Sequence, residues 1–194
     1  PLFHTLDTEQ LVESLAMQRV VAEQTARYAD GRPVHVGPIS LRPRFNNVAT
    51  SPERLPTRTD LAEGYGAEFT GASDERQAAV ELAAWTIASA AALAVPTTAS
   101  MSFFETTGPR GLRRADGTPR PAQEAIAALS ALSGGELLHQ TTPADVWALG
   151  ARTAEGTAIL VANPTPIDRA VTLRTPDHEL HATVPAGSWV SLEA

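Results

Sequence analysis

Three times before about residue 140, an apolar, β-branched run is followed by a run with helical periodicity, and then the pattern changes. Pro1-Leu-Phe-His4 reads as the end of a short strand. Asp7 and Gln10 stand at capping-box spacing before a helix over roughly Glu9–Ala29, in which Val12, Leu15, Ala16 and Val20 recur at helical spacing. Asp30-Gly31 supplies the stop. Pro33–Leu41 is a second strand, running out into Arg42, Arg44, Asn46 and Asn47. The stretch to about Ser73 carries Pro and Gly with no clear period, and a loop that long in a compact domain is usually functional or disordered. Asp74 and Gln77 then open a helix expected to reach about Val95, with Trp85 in its middle and Pro96 at its end. Thr97–Glu105 is the third strand. Pro121 sits at a first-turn position for the helix Ala122–Leu132, which Gly134-Gly135 terminates. This order predicts a parallel α/β arrangement with right-handed crossovers.

After about Thr141 the runs become short and alternating: Val146–Arg152, Thr157–Asn163, Arg169–Arg174, Leu180–Val184 and Ser188–Leu192, separated by turn pairs such as Glu155-Gly156 and Ala186-Gly187. They predict an antiparallel β module, with the domain boundary near Gln140–Pro143, so that residues 1–140 and 141–194 form two domains. Three β/α units do not close a barrel, which needs eight. The residues leave two architectures open, a small open sheet or the last part of a larger barrel enzyme, and the appended β module favours the second. The chain opens on Pro1 without Met, on a strand already under way, so a fragment with upstream sequence is expected.

Composition removes several functions. The 194 residues carry a formal charge of −7, and all 15 basic residues are arginine, scattered along the chain, so a basic nucleic-acid face is not expected. With no cysteine there is no disulfide framework, thiol nucleophile or Cys-based zinc site. No apolar run reaches the roughly 18 residues of a membrane span, and no signal peptide opens the chain, so the plain expectation is a soluble cytoplasmic protein without a membrane partner. HExxH, GxSxG and phosphate-loop patterns are all lacking, and no cofactor or metal is implied.

The stretch TTASMSFFETTGPR, Thr97–Arg110, ends its small, β-branched and aromatic run at a single carboxylate, Glu105, and turns at Gly108-Pro109. A buried parallel strand delivers a catalytic group to a barrel rim in this way, because only its carboxyl end meets substrate. Together with HVGPISLRPRFNNVAT (His35–Thr50), the Asp74–Gln77 segment and AAWTIAS (Ala83–Ser89), the stretch SFFETTGPRG (Ser102–Gly111) resembles the C-terminal part of the D-apionate lactonase family. These are bacterial sugar-acid enzymes of branched-pentose catabolism. The resemblance spans most of residues 1–140 and, more loosely, the β module. It implies an α/β fold, the C-terminal portion of a (β/α)8 TIM barrel with strands six to eight in about three β/α units. A small antiparallel β-sandwich-like domain would follow.

On this resemblance, Glu105 is the catalytic candidate: a carboxylate at the end of the last strand can activate water for lactone opening or attack a sugar carbon. The plain alternative is a loop glutamate paired with Arg110. Arg42 and Arg44, two apart in extended chain, project to one side and can grip a carboxylate or an oxyanion, or can simply be surface arginines. Asn46 can bond a sugar hydroxyl or serve the Asn46-Asn47 turn, and His4 can transfer a proton or be a satisfied rim residue. His35 reads as structural, and His178 and His181 lack further ligands for a metal. Trp85 and Trp189 read as core, and Trp147 as core or a sugar platform. The leading expectation is a hydrolase opening a sugar-acid lactone. The alternatives are a retaining glycosidase of the same barrel type, or a non-catalytic carbohydrate-binding β module. The expected partners are a small sugar-acid lactone or carbohydrate, and either a second copy of the chain or a missing N-terminal part. Open parallel edges and an apolar face would favour such association, and the chain alone is expected to be inactive.

Overall fold

The computed structural model describes residues 7–41, 74–138, 142, 145–174 and 179–193. The strand expected at Pro1–His4, and the candidates His4, Arg42, Arg44, Asn46 and His178, lie outside them. The first element is the helix α1, Thr8–Ala29. Asp7 caps it, its carboxylate accepting the Glu9 N–H at 2.9 Å, and Asp30 ends it in the left-handed region at φ 50°. The expected buried stripe is rotated: Leu11, Leu15, Gln18 and Ala22 are buried, whereas Ala16 and Val20 are exposed. Polar contacts set this rotation. Ser89 Oγ donates to Gln18 Oε1 at 2.5 Å, and Arg19 Nη2 donates to Ala91 O at 2.5 Å, which ties the helix along these positions.

Strand β1, Val34–Ile39, pairs in parallel with β2, Thr98–Phe103, as the strand–helix order predicts. The strands approach closely at Gly37, where a Cβ would meet Ser102 Cβ at 2.9 Å, so the β-branched run must break at glycine there. Between the two strands the helix expected from Asp74 is divided. A 3₁₀ turn, Glu75–Ala78, is followed at Ala79 by extended backbone (φ −74°, ψ 146°), and only then by α2, Glu81–Leu93. Asp74 explains the tight first turn. Its carboxylate accepts the Arg76 backbone N–H at 3.0 Å and also pairs with the Arg76 guanidinium at 2.7 Å, a local network that competes with a regular α-helical start.

The third strand also ends earlier than expected. After β2, Phe104 takes φ 57°, and Glu105 opens a separate short strand, β3 (Glu105–Thr107), which pairs in parallel with β4, Gly111–Arg113. Successive side chains of a regular strand point to opposite faces, yet Phe103 and Phe104 both pack on the same core, edge to face with ring centroids 5.9 Å apart. The left-handed residue lets both rings reach the core, Phe104 buried and Phe103 half-buried. Helix α3, Ala122–Ala131, follows with Pro121 at its N-cap.

The antiparallel strands β6 (Trp147–Thr153), β7 (Gly156–Asn163) and β10 (Ser188–Glu193) form one sheet in the order β10-β7-β6-β5. Its outer strand β5, Glu136–Leu137, precedes the expected boundary near Gln140, so residues on both sides of that point share the sheet. Strands β8 (Arg169–Arg174) and β9 (Glu179–Val184) form a separate hairpin. Every residue of α2 from Leu82 to Leu93 is buried, because the helix is covered by α1, by α3 and by β6, β7 and β10. Its alanines keep it thin enough to lie between those layers at ordinary packing density. The resulting core runs from Leu15 and Trp85 through to Leu160 and Ala162. The other side of the sheet makes a smaller core, Val146, Ile159, Val161 and Val184, with Val171 and Leu173 of the hairpin. No helix among the described residues is long and apolar enough to cross a membrane.

Candidate active site

Glu105 stands where the β2 run turns out of the parallel pair. Its position is set from two sides. The Phe104 N–H donates to Ile39 O of β1 at 2.9 Å, and the Glu105 N–H donates to Arg110 O at 3.3 Å. Pro38, Ile39, Ser40, Phe104, Glu105 and Arg110 surround one small recess, so the carboxylate lies beside the carboxyl end of β1. The Glu105 side chain is 24% exposed, and its Oε1 accepts from Arg110 Nη2 at 2.5 Å. That charge-assisted bond is the pairing foreseen in the plain alternative for Glu105.

The turn that carries Arg110 is held at several points. Gly108 lies at φ 97°, its N–H donates to Arg113 O at 3.1 Å, and the Gly111 N–H donates to Gly108 O at 3.1 Å. A Cβ on Gly111 would come within 2.5 Å of the Thr107 carbonyl carbon, so no side chain fits there. Arg120, at the approach to α3, donates from Nη1 to Gly108 O at 2.7 Å and to Gly111 O at 2.8 Å. Burial, helped by the neighbouring charge of Arg114, lowers the pKa of the Arg120 guanidinium. Gln77, buried in the 3₁₀ turn, donates from Nε2 to Gly111 O at 3.4 Å.

Residues 1–134 match the family model described as "D-apionate lactonase, TIM barrel domain". The chain belongs to the D-apionate lactonase family. The match runs through α3 and therefore includes Glu105, Arg110, Arg120 and Gln77, whereas β5–β10 lie beyond it. A comparison with curated proteins found no match.

Of the residues expected to form the lactonase site, the described part of the chain contains Glu105; Arg42, Arg44, Asn46 and His4 fall outside it. Arg120 and Gln77, which bond the turn beside Glu105, have no signal of that role in the sequence: the spacing of Asp74 and Gln77 points only to a helix start, and Arg120 merely stands before Pro121. His35, in β1, is exposed, and its Nδ1 lies 2.8 Å from Ser100 Oγ across the parallel pair. Trp147 and Trp189 both pack, half-buried, against the main core. Trp85 is buried in that same core. Among the described residues, no three His, Asp or Glu side chains gather in an arrangement that could hold a metal ion. A cavity of about 830 Å³ lies away from Glu105, between α1, α2 and the turns at Thr165 and Gly187.

Proposed function

We propose that the protein is a hydrolase that opens a sugar-acid lactone in carbohydrate catabolism, with Glu105 as the group that acts on water or on the lactone carbonyl. The observation that carries this reading is the place of Glu105: within the matched lactonase domain, it stands just past the carboxyl end of one of two paired parallel strands. In barrel enzymes that end of the strands holds the chemistry. On the same reading, β1 and β2 with α1, α2 and α3 belong to the last β/α units of a barrel, and the two β layers form a sandwich-like domain beside it.

The chemistry follows from a carboxylate in that position. As general base, Glu105 takes a proton from water as the oxygen attacks the lactone carbonyl. The carbonyl π pair moves to oxygen, giving a tetrahedral oxyanion. Collapse of the oxyanion breaks the ring C–O bond, and the proton held by Glu105 goes to the departing alkoxide, leaving the open hydroxy acid. Arg42 and Arg44, which follow the buried Leu41 in sequence, are assigned to the substrate carboxylate or the developing oxyanion. Asn46 and His4 are assigned to substrate hydroxyls. Arg110 makes a charge-assisted hydrogen bond to Glu105 and so fixes the direction in which its second oxygen points.

The experiment is hydrolysis of pentonolactones and of nitrophenyl glycosides by the protein expressed from its full reading frame, as wild type and as Glu105→Gln. Lactone turnover lost in the variant is expected, by about 10²- to 10⁴-fold for loss of a general base. Glycoside turnover instead would move the site to a two-carboxylate mechanism with a partner about 5 Å from Glu105. Turnover of the lactone by Glu105→Gln at the wild-type rate would remove Glu105 from the reaction.

A further inference from the structure

The Arg110–Glu105 contact depends on a turn whose own carbonyls point at another arginine. The Arg120 backbone N–H donates to Leu112 O at 2.9 Å, which anchors the residue on the strand leaving the turn. From there the half-buried side chain reaches back. Its Nη1 donates to Gly108 O at 2.7 Å and Gly111 O at 2.8 Å, with Pro109 O at 3.4 Å. These carbonyls flank Arg110 before and after. Gly108 and Gly111 have little intrinsic preference that would hold such a turn, since glycine is the most permissive residue of the backbone. A cation placed among the carbonyls adds a side-chain constraint to the turn's own backbone hydrogen bonds.

We propose that Arg120 is a positioning residue for lactone hydrolysis: by gathering the carbonyls of Gly108 and Gly111, it holds the turn in the form that lays Arg110 on Glu105. The inference rests on Glu105 being the carboxylate that acts on the lactone. Among the described residues, the Arg120 side chain bonds backbone carbonyls of the turn and not Glu105. Its effect on the reaction therefore passes through Arg110. A planar guanidinium can direct one nitrogen at two carbonyls while its stem packs, and a lysine ammonium keeps the charge and the donors without that planarity.

The test, in the protein expressed from its full reading frame, uses Arg120→Gln, which retains one amide donor, and Arg120→Lys, which retains the charge. Three quantities are read: the Arg110 side-chain N–H resonances in the substrate-free protein, kcat and KM for a pentonolactone, and thermal stability. Arg120→Gln is expected to shift and broaden the Arg110 resonances and to lower kcat by about 10²-fold, the scale of an ångström's misplacement, with KM within about twofold. Arg120→Lys is expected to restore most of both. Arg110 resonances unchanged in folded Arg120→Gln overturn the proposal, as does a kcat per folded molecule equal to wild type, because a merely structural arginine would lower stability and leave both alone. Should Arg120→Gln not fold, Arg120→Met, which keeps the apolar stem and removes every donor, is read in the same way, and Arg110 resonances unmoved in it or a wild-type kcat overturn the proposal. The substrate-free resonances separate this inference from the reading beneath it. Displaced Arg110 signals together with full turnover by Glu105→Gln support the clamp and count against Glu105 as the reacting group.

Discussion

Arg110 Nη2 lies 2.5 Å from Glu105 Oε1, and of the two side chains the arginine is the more deeply buried, at 5% against 24% exposure. The pair is thus asymmetric. Burying a guanidinium needs an anion or good acceptors beside it, whereas Glu105 keeps a path to solvent.

That asymmetry predicts an order of stability among substitutions of Glu105. Glu105→Gln keeps an acceptor oxygen facing Arg110 and is expected to cost about 1.5–3 kcal/mol, the usual net worth of a hydrogen bond to a charged group. Glu105→Leu removes the acceptor while leaving the cation buried, and about 3–5 kcal/mol is expected. Urea unfolding of the two variants checks the order. Equal costs would mean that the Arg110 charge is met chiefly by its other contacts.

Asn163 organises the end of β7. It is fully buried, and its Nδ2 donates to Ile167 O at 2.8 Å, Val184 O at 3.0 Å and Pro185 O at 3.1 Å, while Oδ1 accepts the Thr165 N–H at 3.1 Å. One amide therefore links β7, the loop before β8 and the end of β9. Asn163→Asp has nearly the same shape but turns a donor into an acceptor facing three carbonyl oxygens. A loss of about 3 kcal/mol or more is expected at neutral pH, measured by urea unfolding. A variant as stable as wild type would show that the loop reorganises freely around this position.

The turn before α3 carries a pH-dependent contact. The Asp116 carboxylate accepts the Thr118 N–H at 2.8 Å, and hydrogen bonding from Thr118 holds its pKa below the ordinary 3.8. A carboxyl with a depressed folded-state value contributes its stabilisation fully above the unfolded value. The contribution is lost as pH falls from 3.8 through the lower folded value. The Thr118 amide proton shift should therefore titrate with a midpoint below 3.8. A midpoint at or above it would mean that the bond does not persist in solution.

Much of this architecture can be read from residue order. The Asp7 cap, the Asp30 stop, Pro121 at the start of α3 and the succession of short strands β6–β10 are local signals, and each appears close to where the residues place it. What sequence reasoning missed depends on contacts distant in the chain. The rotation of α1 follows from Gln18 and Arg19 meeting α2, and the kink at Phe104 from two aromatic rings sharing one core. Asn163 has no local signal of its role, because its acceptors Val184 and Pro185 lie on another strand's end. At the candidate site, Glu105 stood out as a carboxylate closing an apolar run. Arg120 did not, because an arginine that bonds only backbone carbonyls leaves no pattern of side-chain types to find.

Trp85 tests which part of a central side chain stabilises the core. Its ring is 2% exposed on α2, and its Nε1–H donates to Leu11 O at 3.0 Å, tying α2 to α1. The same carbonyl also accepts from Ser14 Oγ at 2.7 Å, so loss of the indole N–H does not strand the oxygen. Trp85→Phe keeps most of the aromatic volume and is expected to cost about 1 kcal/mol for the hydrogen bond, plus a fraction of that for the smaller ring. Trp85→Ala opens a cavity between α2 and its neighbours, and about 3–5 kcal/mol is expected. Alanine neighbours such as Ala84 and Ala88 have no side-chain atoms with which to fill the space, which places the cost toward the upper end of that range. Urea unfolding of both variants decides the matter. If Trp85→Phe costs as much as Trp85→Ala, the indole N–H, and not the packing of the ring, holds α1 against α2.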